Sequence, residues 1–233
     1  GMVAGQRAAM AGATENDVAA AISAAMFRAG GEFPAVMPYV ASGPRSMIGH
    51  STWEGRMIRP GEHVFLEVGG CYRRYHAAMM RTVVNGALSD SMRSAQDLMK
   101  HTLAELRSFM KPGVSISEVD RLTRSLIESN DVGAQLVTRA GYSIGIAFPP
   151  SWDEGYIVSL NEGDERPLEE GMTFHLIPWM WGVDGDKTVG ISDTVRITAD
   201  GCASFLTLPE DFVVHESGAR AFPTVAPITS STL

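Results

Sequence analysis

Cysteine is close to absent from this chain of 233 residues, which carries only Cys71 and Cys202. Two thiols do not make a disulfide framework, and they fit a reduced, cytoplasmic protein better than a secreted one. Excess positive charge is missing as well. With a formal net charge of −8, neither nucleic acid nor an anionic membrane surface is an expected partner. No apolar run approaches the roughly 18–20 residues needed to cross a bilayer. No charged segment followed by an apolar stretch reads as a secretory leader. What is present is ordinary: 45% hydrophobic and 20% charged residues exclude a disordered chain. The length suits one sizeable core or two small ones.

Helical and extended patterns alternate along the chain. Thr14 with Asp17 three residues on is a capping signal, and Val18, Ile22, Ala25 and Met26 recur at helical spacing until Gly30-Gly31. Val64–Val68 and Tyr75–Val84 read as two strands, with the hairpin turn placed around Gly69-Gly70. Ser91–Met110 is the longest expected helix, closed by Pro112-Gly113. Another helix opens at Ser115 with Glu118 and runs to Asn130. Strand-like runs follow near Met172–Met180, Gly190–Ile197 and Ala203–Leu206. The Pro/Ser/Thr-rich tail, residues 216–233, is expected to fray.

One pattern occurs twice. Gly12-x-Thr14-x-x-Asp17-Val18 returns as Gly113-x-Ser115-x-x-Glu118-Val119, each time opening an amphipathic helix. Two independent capping boxes would produce this, and so would a duplicated αβ unit with a site between its halves. No change of composition separates the halves, so residues 1–215 are read as one domain.

The most informative stretch is Glu67-Val68-Gly69-Gly70-Cys71-Tyr72-Arg73-Arg74-Tyr75-His76-Ala77-Ala78-Met79-Met80-Arg81-Thr82. With Gly30-Gly31-Glu32-Phe33-Pro34-Ala35, His50-Ser51-Thr52-Trp53, Gly141-Tyr142-Ser143-Ile144-Gly145 and Met172-Thr173-Phe174-His175-Leu176-Ile177-Pro178, it resembles the creatinase and methionine-aminopeptidase ("pita-bread", M24-like) family, closest to the ectoine hydrolase group. The resemblance implies an α+β fold of two pseudo-symmetric αβ halves, with a curved, mainly antiparallel sheet covered by helices. It also implies that the N-terminal domain of full-length relatives is absent; Gly1-Met2 reads as a cloning remnant. Peptidases of the family hold two metal ions on five ligands. The matching positions here are Glu67, Ala78, Tyr142, Ile177 and Ser192. A carboxylate and a phenol fall short of the three or so protein ligands that a catalytic metal site needs. No metal or other cofactor is therefore expected.

The resemblance also suggests a substrate: ectoine, a cyclic amidine with a carboxylate, whose ring carries a delocalised positive charge. A buried carboxylate suits that cation and can act as nucleophile or as base toward water. Glu67, in the middle of an apolar strand, is the candidate. A structural acid paired with Arg73, Arg74 or Arg81 is the plain alternative. Burial raises such a pKa, and a bound amidinium lowers it. His50 is a candidate proton shuttle to the leaving nitrogen. Tyr142 is read as a hydrogen-bond donor to substrate or a half-buried aromatic, and His175 as a further catalytic group. By strand alternation His76 shares a face with Ala78, and His175, Ile177 and Trp179 share another. Trp53 and Trp179 are candidates for stacking on the flat cation. Asp193 is read as orienting His175 or pairing with the ring nitrogens. Met79-Met80 and Met92–Met99–Met110 read as packing.

These residues lead to one expectation: a metal-independent hydrolase that opens ectoine or hydroxyectoine to N-acetyl-diaminobutyrate, acting as a cytoplasmic homodimer on a small zwitterion. The rivals are an Xaa-Pro dipeptidase, a creatinase-type amidinohydrolase and a small-molecule-binding pseudoenzyme. Met80 stands where creatinase has a catalytic-site Glu, which counts against the second rival.

Overall fold

Two helix starts anchor the architecture, a computed structural model that describes residues 1–129, 132, 135–136 and 138–216. After a short helix α1 (Met2–Ala8), Thr14 caps α2 (Glu15–Arg28). Its hydroxyl accepts from Asp17 N–H, and the Asp17 carboxylate accepts from Thr14 N–H. Strands β1 (Tyr39–Ser42), β2 (His63–Tyr72) and β3 (Tyr75–Asn85) follow, then α3 (Asp90–Phe109) and α4 (Ile116–Glu128). Ser115 and Glu118 cap α4 with the same reciprocal bonds. The remainder is short strands: β4 (Gln135–Leu136), β5 (Gly141–Ser143), β6 (Ser159–Leu160), β7 (Thr173–Leu176), β8 (Met180–Val183), β9 (Lys187–Val189), β10 (Asp193–Ile197), β11 (Cys202–Ser204) and β12 (Val213–His215).

The sequence echo corresponds to repeated structure. Gly12 and Gly113 both adopt φ of +92°, a left-handed value suited to glycine. Gly12 N–H donates to the Ile58 carbonyl and Gly113 N–H to that of Leu168, both at 2.9 Å. Glu15 N–H then meets Arg56 O at 2.9 Å, as Ile116 N–H meets Arg166 O at 3.1 Å. Each helix start thus clasps the segment leading into a central strand, β2 in one half and β7 in the other. Two unrelated capping boxes would not share those partners.

The strands form sheets ordered β1-β2-β3-β12, β11-β10-β7-β5-β6 and β4-β8-β9. All pairings between named strands are antiparallel except β3 with β12. Side-chain hydroxyls join the two larger sheets. Thr194 Oγ1 accepts from Ala78 N–H (3.0 Å), Ser192 Oγ from Met80 N–H (2.6 Å) and Thr82 Oγ1 from Gly190 N–H (3.0 Å). Arg81, fully buried, spans the same seam: its guanidinium donates to the carbonyls of Met80, Ser192 and Pro209 at 2.7–2.9 Å. One core lies under α1 and α2, a second under α3 and α4, and a smaller aromatic cluster around Phe65, Tyr142, Trp152 and Trp179 sits between them.

The hairpin differs from its expected form. Strand β2 runs through Gly69-Gly70, pairing them with Ala78 and Ala77, and the turn falls at Arg73-Arg74. Both arginines have positive φ (+48° and +67°), the two-residue turn whose twist matches antiparallel strands. The Glu32 carboxylate accepts from both turn N–H groups at 3.2 Å, which compensates a conformation uncommon for residues bearing a Cβ. Gly69 answers a different need. A Cβ there would lie 2.6 Å from the indole of Trp152. The expected run Met172–Met180 is also split, because Pro178 ends β7 and the chain enters another sheet as β8. Asn130 and residues 217–233 lie outside the described residues. Among those described, no helix is long and apolar enough to cross a membrane.

Candidate active site

A cavity of about 270 Å³ opens between the halves, lined among others by Tyr39, His50, Glu67, Arg139, Tyr142, Trp152 and Trp179. Strand β2 places Glu67 in it, flanked in register by Tyr39 of β1 and Met80 of β3. Glu67 is wholly buried, and neither carboxylate oxygen has a hydrogen-bond partner among the described residues. Among the described residues no arginine serves it: Arg81 is committed to carbonyls, and Arg74 to those of Phe33 and Ala147. Burial, reinforced by the nearby Asp153 charge, pushes its pKa up to about 8. Its surroundings therefore favour the neutral acid over the carboxylate.

His50 sits at the mouth, its Nε2 3.6 Å from Glu67 Oε2. Desolvation lowers its pKa, which disfavours the charged imidazolium in this contact. The ring lies between Tyr39 (4.8 Å between centroids) and Trp179 (5.2 Å). Its backbone is held at φ +56° by a braced loop. There the buried Glu15 accepts from Ser42 and Arg45, and Arg45 reaches on to Glu54 and the Thr52 carbonyl. A left-handed non-glycine residue beside a buried acid is a common mark of a functional position.

From Tyr142 on the cavity wall a chain of polar contacts runs inward. Tyr142 Oη contacts Trp152 Nε1 at 3.0 Å and His175 Nδ1 at 2.8 Å; His175 Nε2 contacts Ser192 Oγ at 2.6 Å. His175 is fully buried, and desolvation drives its pKa to about 3. Burial, then the field of Glu67, raises the Tyr142 pKa well above its ordinary value. At the rim Arg139 pairs with Asp153, donates to Ser159 Oγ and lies 4.7 Å from the centre of the Tyr142 ring.

Glu67, His50, Tyr142 and Trp179 thus converge on the cavity, with His175 one contact behind. Three other expected site residues lie elsewhere. Trp53 packs against the core under α1 and α2. His76 accepts from Ala35 N–H at Nε2 (2.9 Å) and contacts the Arg74 carbonyl through Nδ1, in a neighbouring groove. Alternation puts it on the side of Ala78, but two residues further along β3, about 7 Å, is past the cavity. Asp193 points the other way, to Arg107 of α3 (2.8 Å) and Ser204 (2.6 Å), because Ser192 and Thr194 take the inward positions. Trp152, Arg139 and Asp153 are site residues that the sequence pattern did not single out, and the resemblance marks Ser192 only as a lost ligand position, not as a partner of His175. The Gly69-Gly70 pair inside a strand was the one available signal for Trp152, since such glycines mark close approach.

The five positions that the resemblance sets against the metal ligands of family peptidases carry Glu67, Ala78, Tyr142, Ile177 and Ser192. Ala78 and Ile177 offer no donor, and the Tyr142 and Ser192 oxygens are engaged with His175. This donor set does not fit a divalent ion, and the described residues contain no cluster of three or more His, Cys, Asp or Glu side chains suited to one.

Comparison with known proteins agrees with this architecture. The chain belongs to metallopeptidase family M24, whose model matches residues 1–199. It is 33% identical over 187 residues to an ectoine hydrolase of Halomonas elongata, covering 79% of this chain and 45% of the relative. It is 28% identical to an Xaa-Pro dipeptidase of Pyrococcus furiosus, covering 82% and 53%. Among solved structures, the prolidase of Pyrococcus furiosus superposes with a TM-score of 0.80 at 26% identity over 89% of this chain and 60% of that one. The chain spans about half the length of the curated relatives it matches.

Proposed function

We propose that this domain opens a cyclic amidine carrying a carboxylate, ectoine or hydroxyectoine, by adding water without a metal ion. The observation that carries the reading is the Glu67 carboxyl, buried and unpaired on an aromatic-walled cavity. A delocalised cation supplies what it lacks: N–H donors for both oxygens and a charge that stabilises the carboxylate. Tyr39, Trp152 and Trp179 offer ring faces to the same cation. Binding the amidinium lowers the Glu67 pKa, and its proton passes to His50 Nε2, 3.6 Å away. The carboxylate then removes a proton from the water that attacks the amidinium carbon, or attacks that carbon itself, in which case the water afterwards cleaves the bond to Glu67. A carbon–oxygen bond forms, one ring carbon–nitrogen bond breaks, and the departing nitrogen takes a proton, with His50 placed to deliver it. One water is consumed, and an acetamide and a primary amine result, as in N-acetyl-diaminobutyrate.

The 33% identity to an ectoine hydrolase supports this choice, and the poor metal donor set weighs against the dipeptidase alternative. Incubation with ectoine, followed by NMR for the ring-opened amide, tests it. Glu67→Gln should lower turnover by ~10²–10⁴-fold while leaving the fold intact. Full turnover in that variant, or dipeptide cleavage dependent on added manganese or cobalt, would replace the reading.

A further inference from the structure

Two of the former metal-ligand positions, Tyr142 and Ser192, are now joined through His175, and the direction of the hydrogen bonds between them can be assigned by counting protons. Ser192 Oγ already accepts from Met80 N–H. Its own O–H has one acceptor within reach among the described residues, His175 Nε2. A neutral imidazole carries a single proton, so with Nε2 accepting, that proton lies on Nδ1 and is donated to Tyr142 Oη. Trp152 Nε1 is only ever a donor, and it too points at Tyr142 Oη. The phenol oxygen is thereby filled by two incoming N–H bonds. Its O–H finds no acceptor among the described residues, and Tyr142 lines the cavity.

The reversed arrangement is worse. It would have Tyr142 donate to Nδ1 and Nε2–H donate to Ser192. The Ser192 hydroxyl, fully buried, would then receive two N–H donors while its own proton had no acceptor. An unpaired buried hydroxyl carries its full desolvation penalty, whereas an O–H facing an accessible cavity does not. We infer that Ser192, His175 and Trp152 are positioning residues that lock the Tyr142 hydroxyl as a one-way hydrogen-bond donor into the cavity.

A locked donor is of little use to an amidinium, whose ring nitrogens are themselves donors. It suits the oxygen that becomes attached to the amidinium carbon after attack. Tyr142 therefore acts on the addition intermediate rather than on bound substrate, in the manner of a single oxyanion-hole donor. This last step rests on the proposed ring opening; the proton arrangement does not.

The test separates the two. Long-range proton–nitrogen NMR on the full chain, labelled at histidine and assigned by through-bond correlation, reads the His175 tautomer without substrate. Protonation at Nδ1 is expected, and protonation at Nε2 overturns the inference even if ectoine is hydrolysed. Kinetics then test the role. Tyr142→Phe should lower kcat ~10²-fold or more with KM nearly unchanged. Ser192→Ala should lower kcat by a smaller factor and mix the two tautomers, with Ser192→Thr restoring both. A Tyr142→Phe enzyme whose KM rises while kcat holds would overturn the catalytic role. A protein with no activity on ectoine but Nδ1-protonated His175 would remove the substrate reading and leave the locked hydroxyl standing.

Discussion

Glu67 is the residue at which stability and chemistry oppose each other. Its folded pKa of about 8 stands above the ~4.3 of an unfolded chain. Below both values the acid is neutral in either state, and burial costs nothing extra. As pH rises from about 4 to about 8 the unfolded chain loses this proton while the folded protein keeps it, so unfolding is progressively favoured. Glu67→Gln has no proton to lose. Its stability relative to wild type should therefore grow across that window, by a few kcal/mol at most, and level off above pH ~8. Urea midpoints near pH 5 and pH 8 read this directly; a variant advantage that shrank toward alkaline pH would contradict the assignment. The same comparison shows what one sequence can reveal. A lone acid in an apolar run was legible at Glu67. Ser192 was not, because a serine in a ligand position reads only as a missing carboxylate until His175 is seen 2.6 Å away.

At the scale of elements, the parts fixed by local chemistry were the legible ones. The capping pairs Thr14–Asp17 and Ser115–Glu118 start their helices where the sequence places them, because both partners lie within four residues. Ser115→Ala should cost about 1 kcal/mol, measured as a lowered thermal midpoint, and Thr14→Ala a similar amount. The hairpin turn was misplaced by four residues because glycines are the usual turn signal, and here Glu32 lets two arginines take that conformation. The glycines instead admit an indole from 83 positions away, a contact that no local pattern encodes. Asp193 failed for a related reason: its strand was legible, but which side of β10 faces the cavity depends on Ser192 and Thr194 bonding across to β3.

For the whole molecule, the two halves of the repeated frame are joined by hydrogen bonds from their own side chains. Hydroxyls of Ser192, Thr194 and Thr82 hold β3 and residues 190–194 together. Those bonds are made by the chain's own side chains, and in the proposed reading the seam takes no divalent ion. Dialysis against EDTA should accordingly leave the thermal midpoint unchanged, and metal analysis of the purified protein should return well under one equivalent of manganese, cobalt or zinc. A midpoint that fell on chelation and recovered with one of these ions would mean that the seam depends on metal after all.

The buried Arg81 guanidinium restricts how a guest can enter. It grips carbonyls from β3, from the approach to β10 and from the segment before β12 at once, so prising the two lobes apart would strip several backbone partners from a charge with no water to replace them. The two lobes are riveted together there, while His50 on its braced loop and the Arg139–Asp153 pair stand on the lining of the cavity itself.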